Sequence, residues 1–402
     1  MVMAQTGLIF GAAEQDAGLI THLIEAGYPR TEPAILQPAE VFLDQSGEDM
    51  RGRLLLTSDP QGAEFCLRPE YTIPVCRGYL ASPEAGTPAT FSYLGPVFKH
   101  WWDSGLIVSG ATDKNDKQTF RHRPDAPAEL AQAGIESFGR ADAQAADAEI
   151  MALILEAVES IGACKLTVTM GDAGLFNKLV ESLDLPPAWT RRIRRGHMRG
   201  QDLSAIFAPP GKGAVSDHSG VLAALGNADR AGARALVGDL LSIAGISSVG
   251  GRTPSEIADR FLEQAAMNTT ASVPAEKRAA LAQFLSVAGE PDECSARLRK
   301  LARDAGLDIH AALDGFDERL HFIAARGVDM SALRYDAGFG RKLDYYTGFV
   351  FEARETGASA NCIVAGGGRY DGLLRALGAN SDIPAVGAAI WCEKRSGAGD
   401  RT

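Results

Sequence analysis

A long helix-rich region lies between two strand-rich regions, and this arrangement limits the fold more than any other feature. Residues from about 186 to 325 are rich in alanine, leucine and charged residues and show little strand signal. The flanking regions contain short apolar runs bounded by glycine and proline, which predict β-strands. The pattern predicts an α+β core interrupted by a helical insertion. We expect core parts at 1–185 and 326–395, the insertion at 186–325 and a frayed tail at 396–402.

Several local patterns in the flanking regions predict individual elements. Residues 14–27 form an amphipathic pattern that ends at Gly27, and Asp142 to Ile161 has apolar residues at helical spacing. Further predicted elements are a short helix at Glu40–Leu43, a hairpin of Arg53–Thr57 and Phe65–Arg68, a helix that follows Thr72, strands at Phe91–Phe98, Leu166–Met170 and Ile383–Trp391, and a helix ending at Leu183. Residues 101–119 are polar and without period, which indicates an inserted loop.

Charge and hydropathy exclude several classes of protein. The net charge is −11 and the sequence pI is about 5.2, so non-specific binding to nucleic acid is disfavoured. The basic run Arg191–Arg195 could contact RNA or a partner subunit, although a solvated helix face explains it as well. No apolar run is long enough to span a bilayer, and the first residues lack the basic segment of a secretory signal. We therefore expect a cytoplasmic protein.

The six cysteines are widely scattered and form no C-x-x-C pair, so the sequence gives no support for a zinc site. Free thiols in a reducing compartment explain them better. We expect neither a metal nor a cofactor.

The stretch Phe339–Glu352 contains the most distinctive candidate residues for ligand binding. Arg341 and Lys342 come first, and the residues from Tyr345 onward have the alternation of a strand. Adjacent tyrosines Tyr345 and Tyr346 beside a fixed cation suit a small zwitterion, although an aromatic core strand is the alternative.

Polar residues within apolar segments extend this candidate site. Gln132 and Glu136 are four residues apart in a segment that otherwise reads as buried, so they need hydrogen-bond partners. An amino-acid ligand offers such partners, because its ammonium and imidazole N–H groups suit Glu70, Thr72 and Glu136. Its carboxylate suits Arg341 or Gln132. Each carboxylate taken singly could instead be a helix cap or a surface group.

Five motifs, in this order along the chain, together resemble the catalytic domain of histidyl-tRNA synthetase, a class II synthetase. They are Leu67-Arg-Pro-Glu70, Gly95-Pro-Val-Phe98, Gln132-Ala-Gly-Ile-Glu136, Arg341-Lys-Leu-Asp-Tyr-Tyr346 and Gly367-Gly-Arg-Tyr-Asp-Gly372. The resemblance implies an antiparallel sheet flanked by helices, a helical insertion and dimerisation through the first motif.

The resemblance also implies roles for the matching residues. Glu70 and Thr72 would hold the α-ammonium group of histidine, and Gln132 would meet the amino-acid backbone. The imidazole end would lie against Glu136, Tyr346 and Tyr370, and Tyr345 would also belong to the histidine-binding residues. Arg341 would meet the carboxylate or an α-phosphate.

Departures from the synthetase pattern fall in its ATP site. Trp391 stands where the synthetase pattern has a glycine. Lys394 stands where the pattern has an arginine that stacks on adenine, and lysine has no planar group with which to stack. The phosphate-binding arginine corresponds either to Lys99 or to Arg121. Because the sequence ends soon after Lys394, we expect no anticodon-binding domain.

A kept histidine pocket with a degenerate ATP site resembles a second family, the regulatory subunits of short-form ATP phosphoribosyltransferase. That resemblance implies a non-catalytic chain that assembles with itself and with the catalytic subunit in the first step of histidine biosynthesis, with L-histidine as feedback effector. The alternative is a truncated histidyl-tRNA synthetase-like enzyme that forms histidyl-adenylate. A third possibility is a free-standing enzyme that transfers histidine to another acceptor.

Overall fold

The computed structural model describes residues 13–44, 52–99, 129–162, 165–198, 200–208, 273–340, 345–355 and 363–391. Three candidate site residues, Arg121, Arg341 and Lys394, lie outside these ranges, as does the predicted loop at 101–119.

Eleven strands lie in the described residues and form two sheets. In chain order they are β1 (Leu36–Pro38), β2 (Leu56–Ser58), β3 (Glu64–Leu67), β4 (Ala89–Phe98), β5 (Glu129–Phe138), β6 (Leu166–Asp172), β7 (Ala288–Gly289), β8 (Leu333–Asp336), β9 (Phe349–Glu355), β10 (Ile363–Arg369) and β11 (Ala385–Trp391). The larger sheet has the order β4-β5-β11-β10-β9-β6-β8-β7, and the smaller sheet has the order β1-β3-β2.

The larger sheet confirms the predicted α+β core, with one difference in strand direction. Its strand pairs are antiparallel except for β6 and β8, which run parallel. Parallel neighbours need a long crossover connection, and the helix-rich region between Asp172 and Leu333 supplies it. The sheet is therefore mixed rather than purely antiparallel.

The smaller sheet contains the predicted hairpin. Strands β2 and β3 pair antiparallel around a turn in which the Asp59 carboxylate accepts hydrogen bonds from the Gln61 and Ala63 amides at 2.9 and 2.8 Å. Gly62 has a φ of +87°, a conformation that glycine adopts without a steric cost. The turn residues thus explain the predicted position of the hairpin.

Ten α-helices are described. They are α1 (Ala13–Glu25), α2 (Thr72–Leu80), α3 (Ala143–Ser160), α4 (Ala173–Ser182), α5 (Pro187–Met198), α6 (Leu203–Phe207), α7 (Ala275–Leu285), α8 (Pro291–Ala305), α9 (His310–Ala325) and α10 (Leu373–Ala376). The helices predicted at 14–27, at 142–161 and up to Leu183 are confirmed as α1, α3 and α4. The chain leaves α1 at Gly27, whose φ is +92°.

One face of the larger sheet is covered by helices. Helix α3 contacts β5, β9, β10 and β11, and α1 and α9 pack against α3. The buried side chains Ile150, Ile154 and Val158 recur at every fourth position of α3, which explains why this helix could be predicted. The opposite face carries the candidate site.

A buried ion-pair network ties the helices to the sheet. Asp147 of α3 is fully buried and accepts hydrogen bonds at 2.8 Å from both Arg319 of α9 and Arg369 of β10. Arg319 also donates to Asp172 at 2.9 Å, and Arg369 donates to Asp371 at 2.9 Å. Sequence periodicity gave no indication of this network, because its members come from separate elements.

The chain divides into two compact units. The core unit comprises residues 1–176, 286–300 and 310–402, and the helical unit comprises 177–285 and 301–309. The helical unit therefore covers a different set of residues from the insertion expected at 186–325, and the domain boundaries drawn from sequence stay a prediction. Helix α9, which the sequence placed in the insertion, belongs to the core unit.

The basic run Arg191–Arg195 lies on α5 of the helical unit. Arg192 donates to the Ala208 carbonyl at 2.7 Å, and Arg194 forms an ion pair with Glu181 at 2.9 Å. Two arginines of the run thus bind groups within the helical unit, which weakens its interpretation as a nucleic-acid surface.

Candidate functional site

The strand register places the candidate residues on one face of the larger sheet. Glu136 of β5 pairs with Gly387 of β11, and Gly387 pairs with Gly368 of β10. Directly paired residues in antiparallel strands point to the same side of a sheet. The three positions therefore form a row across the sheet, with one carboxylate and two glycines.

Glu136 is the centre of the site. It has no exposed surface, and its carboxylate accepts hydrogen bonds from Thr72 at 2.8 Å, from Tyr93 at 3.3 Å and from the Tyr370 hydroxyl. These donors are neutral hydroxyl groups. Burial raises the pKa of Glu136 to about 8, because desolvation disfavours the carboxylate more than the hydroxyls stabilise it. The site therefore holds a buried acid that a cationic or N–H-bearing ligand would stabilise in its ionised form.

The two glycines of the row allow this arrangement. A Cβ atom at Gly387 would collide with the Glu136 carboxylate, and one at Gly368 would collide with the Phe349 carbonyl oxygen and lie 3.0 Å from the Tyr346 ring. The Glu136 side chain thus lies across β11 instead of projecting away from the sheet. Glycine within an apolar strand is a signal of such close approach.

Glu70 and Thr72 lie at the start of helix α2. The Glu70 carboxylate accepts hydrogen bonds from the Thr72 and Ile73 amides at 2.5 and 2.9 Å, so it caps this helix. Burial raises the pKa of Glu70, whereas these amides and the nearby charge of Lys99 lower it. Glu70 is partly exposed, and it combines the structural role of a cap with a position beside the candidate site.

Gln132 and Trp391 lie farther along the same face. They are direct partners in the pairing of β5 with β11, and the four-residue spacing from Glu136 keeps Gln132 on the Glu136 side. Gln132 is 4% exposed, and its amide oxygen has no hydrogen-bond partner within the described residues. A buried acceptor of this kind favours a ligand that donates a hydrogen bond.

Three tyrosines, Tyr345, Tyr346 and Tyr370, complete the candidate site. The sequence placed the first two in a strand, and this predicted strand start is wrong. Strand β9 begins at Phe349, and Tyr345 and Tyr346 precede it. Both rings lie near Tyr370, with centroids at 5.7 and 6.4 Å. Both rings therefore lie beside Tyr370, whereas adjacent residues of a regular strand point to opposite faces of the sheet. Gly348 separates them from the strand, so the backbone can change direction there.

The structure thus brings together most of the predicted ligand-binding residues. Glu70, Thr72, Gln132, Glu136, Tyr345, Tyr346 and Tyr370 all belong to the core unit and to this side of the sheet. Lys99 follows strand β4, close enough to affect Glu70 electrostatically. Their use by a ligand stays a prediction.

Sequence reasoning missed two residues of the site. Tyr93 donates to Glu136, and Gly387 makes room for its carboxylate. The available signal was the presence of glycines inside apolar strands, since Gly387 lies in β11 and Gly134 in β5.

The candidate site contains hydrogen-bond acceptors and aromatic rings that could bind a small ligand. Buried oxygens from Glu136 and Gln132 would accept hydrogen bonds, and the tyrosine rings would pack against a flat ligand. Among the described residues, no group of three or more His, Cys, Asp or Glu side chains could hold a metal ion. The helices described are too short or too polar to cross a membrane.

Comparison with known proteins gives a family. The family model for histidyl-tRNA synthetase matches residues 12–228 and 232–394. A chain from Brucella canis is 39% identical over 369 residues, covering 90% of this chain and 91% of the Brucella protein, which is named ATP phosphoribosyltransferase regulatory subunit.

Solved structures of low sequence identity share the fold. An ATP phosphoribosyltransferase regulatory subunit/histidyl-tRNA synthetase from Bacillus halodurans has a TM-score of 0.60 at 18% identity, covering 97% of this chain and 82% of that one. Histidyl-tRNA synthetase from Nostoc sp. has a TM-score of 0.58 at 14% identity, covering 97% and 74%. The class II synthetase-like architecture predicted from the motifs is confirmed.

Proposed function

We propose a regulatory, non-catalytic function for this chain on the premise of its family: it belongs to the ATP phosphoribosyltransferase regulatory subunits, within the histidyl-tRNA synthetase family. In this role the chain assembles with a catalytic ATP phosphoribosyltransferase subunit and serves the histidine biosynthesis pathway. L-Histidine is the effector, and it binds the pocket around Glu136.

The single observation that carries the proposed ligand is the environment of Glu136. Within the described residues this buried carboxylate is held by hydroxyl groups alone, and it would gain a stronger, charge-assisted hydrogen bond from an imidazole or ammonium N–H. The neighbouring acceptor on Gln132 supports a second donor from the same ligand. L-Histidine supplies both donors and a flat ring for the tyrosines.

A second observation supports the absence of catalysis. Trp391 pairs directly with Gln132, so it lies on the ligand side of β11 beyond the histidine pocket. A large indole at this position reduces the space for a nucleotide beside the amino acid. The chain would therefore sense histidine without activating it.

Histidine bound at this site changes catalysis only if it prefers one state of the assembly. We propose that the inhibited state of the complex binds histidine more tightly than the active state. We also propose self-association into a dimer and a cytoplasmic location.

The test is reconstitution with the catalytic subunit of the same organism. Phosphoribosyl transfer is measured with and without L-histidine, for the wild type and for Glu136→Gln. We expect histidine to inhibit the wild-type complex, and Glu136→Gln to raise the inhibitory concentration about tenfold or more, because a charge-assisted hydrogen bond of about 1.5–3 kcal/mol is lost. Glu25→Gln, at an exposed position on α1, should behave as the wild type.

The enzymatic alternative is tested with the chain alone. ATP–pyrophosphate exchange that depends on histidine would show that it forms histidyl-adenylate, and would overturn the regulatory function. Unchanged inhibition in Glu136→Gln would place the effector site elsewhere.

A further inference from the structure

Resting on the proposed function, we infer that Arg68, Tyr71 and Tyr93 form a positioning unit that fixes the Glu136 carboxylate for ligand binding. The three side chains contact one another in a chain that ends at Glu136, and none of them was a candidate from sequence. The unit would act through Glu136 rather than by touching the ligand.

Tyr93 makes the direct connection. It is 1% exposed, and its hydroxyl donates to Glu136 at 3.3 Å. The same hydroxyl occupies the space in which a Cβ atom of Gly134 would lie. Tyr93 therefore fills the space that the missing side chain of Gly134 leaves beside Glu136.

Tyr71 holds the ring of Tyr93. The two rings are stacked, with centroids 4.4 Å apart and planes inclined by 3°. The Tyr71 hydroxyl fills the slot above Gly95 in the same way, because a Cβ atom there would collide with it. Two glycine slots in neighbouring strands are thus filled by two stacked tyrosines.

Arg68 anchors the stack to the backbone. It is 2% exposed and donates from Nε to the Pro96 carbonyl at 2.8 Å and from Nη1 to the Pro33 carbonyl at 2.5 Å. Its Nη2 donates to the Tyr71 hydroxyl, and its guanidinium lies 4.1 Å from the Tyr71 ring centroid. A planar group fixed by two separate backbone segments leaves Tyr71 little freedom.

This geometry defines what the unit does. Thr72 and Tyr93 hold Oε1 of Glu136, and Tyr370 holds Oε2, so both oxygens have a fixed direction. A shift of the stack would remove the Tyr93 hydrogen bond, which favours the ionised carboxylate. The predicted consequence is a Glu136 that ionises at higher pH and binds histidine more weakly.

The test introduces a steric clash against Tyr71 with one substitution and removes that clash with a second. Gly95→Ala adds a methyl group that collides with the Tyr71 hydroxyl, and Tyr71→Phe removes that hydroxyl while keeping the stacked ring. The titration of Glu136 is followed in the free protein by ¹³C NMR of labelled glutamate carboxyls, assigned with Glu136→Gln. L-Histidine affinity is measured by calorimetry on the same variants.

We expect Gly95→Ala to raise the Glu136 titration midpoint by about half a pH unit or more and to weaken histidine binding about tenfold. The double variant Gly95→Ala/Tyr71→Phe should move both quantities back toward those of Tyr71→Phe alone, because the clash with the hydroxyl is gone and only the 3.1 Å approach to Nη2 of Arg68 is left. Other titratable groups near Glu136 must be separated from it in the fit: Glu70, Cys76, Tyr93 and Tyr370.

Two results would overturn the inference. One is an unchanged Glu136 midpoint in Gly95→Ala together with a lower melting temperature, which would indicate packing alone. The other is an unchanged midpoint in Tyr93→Phe, a variant that keeps the ring and remains informative if Gly95→Ala does not fold. Because the titration needs no ligand, failure of the wild type to bind histidine would refute the proposed function separately.

Discussion

At the scale of single residues, two buried carboxylates differ in the kind of partner that holds them. Asp147 and Glu136 have no exposed surface, yet Asp147 is held by two arginines and Glu136 by three hydroxyls. A buried charge that is already paired with cations stabilises the fold's internal arrangement. Within the described residues Glu136 has no such cationic partner, and this is why we propose that a ligand supplies one. This contrast is the structural reason for proposing Glu136 as the residue that recognises the ligand.

The raised pKa of Glu136 predicts a dependence of stability on pH. Because the folded-state pKa is about 8, above the ordinary value of 4.5, the folded state retains a proton that the unfolded state releases. The stabilisation that Glu136 gives to the folded state is complete below about pH 4.5. It falls as the pH rises toward 8, and the free energy of unfolding then decreases by at most about 1.4 kcal/mol per pH unit.

Urea unfolding between pH 6 and pH 8 checks this prediction by comparing the wild type with Glu136→Gln. The wild type should lose stability relative to the variant as pH rises. A constant difference across this range would show that Glu136 does not titrate there. Glu70, whose pKa burial also raises, is present in both proteins, so the difference between them reports Glu136 together with its electrostatic interaction with Glu70.

At the scale of elements, the glycines of the central strands shape the site. Strands β10 and β11 both carry glycine at the row that contains Glu136. No side chain projects from these two strands there, so side chains from other elements can lie directly on their backbone. Intrinsic strand propensity would favour β-branched residues at these positions. The glycines at these positions therefore leave room for the Glu136 carboxylate and the Tyr346 ring above the strands.

Gly387→Ala tests this role of strand β11. The new methyl group would displace the Glu136 carboxylate, and we expect a loss of about 1–3 kcal/mol in unfolding free energy together with at least tenfold weaker histidine binding. Gly78→Ala is the matched control. Its Cβ would meet nothing within 4 Å, so a helix stabilisation of up to about 1 kcal/mol and normal binding are expected. Normal binding by Gly387→Ala would contradict the arrangement.

At the scale of the whole molecule, the candidate site is confined to one of the two units. Each described residue of the pocket belongs to the core unit, and the helical unit contributes none of them. The helical unit has its own packing, in which Trp189 is buried with its ring centroid 5.7 Å from that of Phe207. The division predicts that damage to the helical unit spares ligand binding.

Trp189→Ala tests this separation. Removal of a buried tryptophan should destabilise the helical unit by about 3–5 kcal/mol, visible as faster hydrogen exchange in peptides from α5 and α6. Histidine affinity, measured by calorimetry, should stay within about twofold of the wild type. A large loss of affinity would show that the pocket depends on the helical unit.

Much of the architecture and of the candidate site could be predicted from the sequence. The helices α1, α3 and α4 and the β2–β3 hairpin follow from interactions between residues a few positions apart, which periodicity and turn chemistry report directly. Motifs identified Glu70, Thr72, Gln132, Glu136 and Tyr370 as a group, and the structure brings them to one side of the sheet.

Only the tertiary structure decided how these residues are held. Glu136 and Tyr370 are 234 positions apart, and their hydrogen bond depends on the registers of β5, β10 and β11. The start of β9, the stack beneath Glu136 and the pairing of Asp147 with two arginines depend on the same long-range registers. Local sequence patterns report which face of an element is apolar, but strand pairing and helix packing determine which side chains meet.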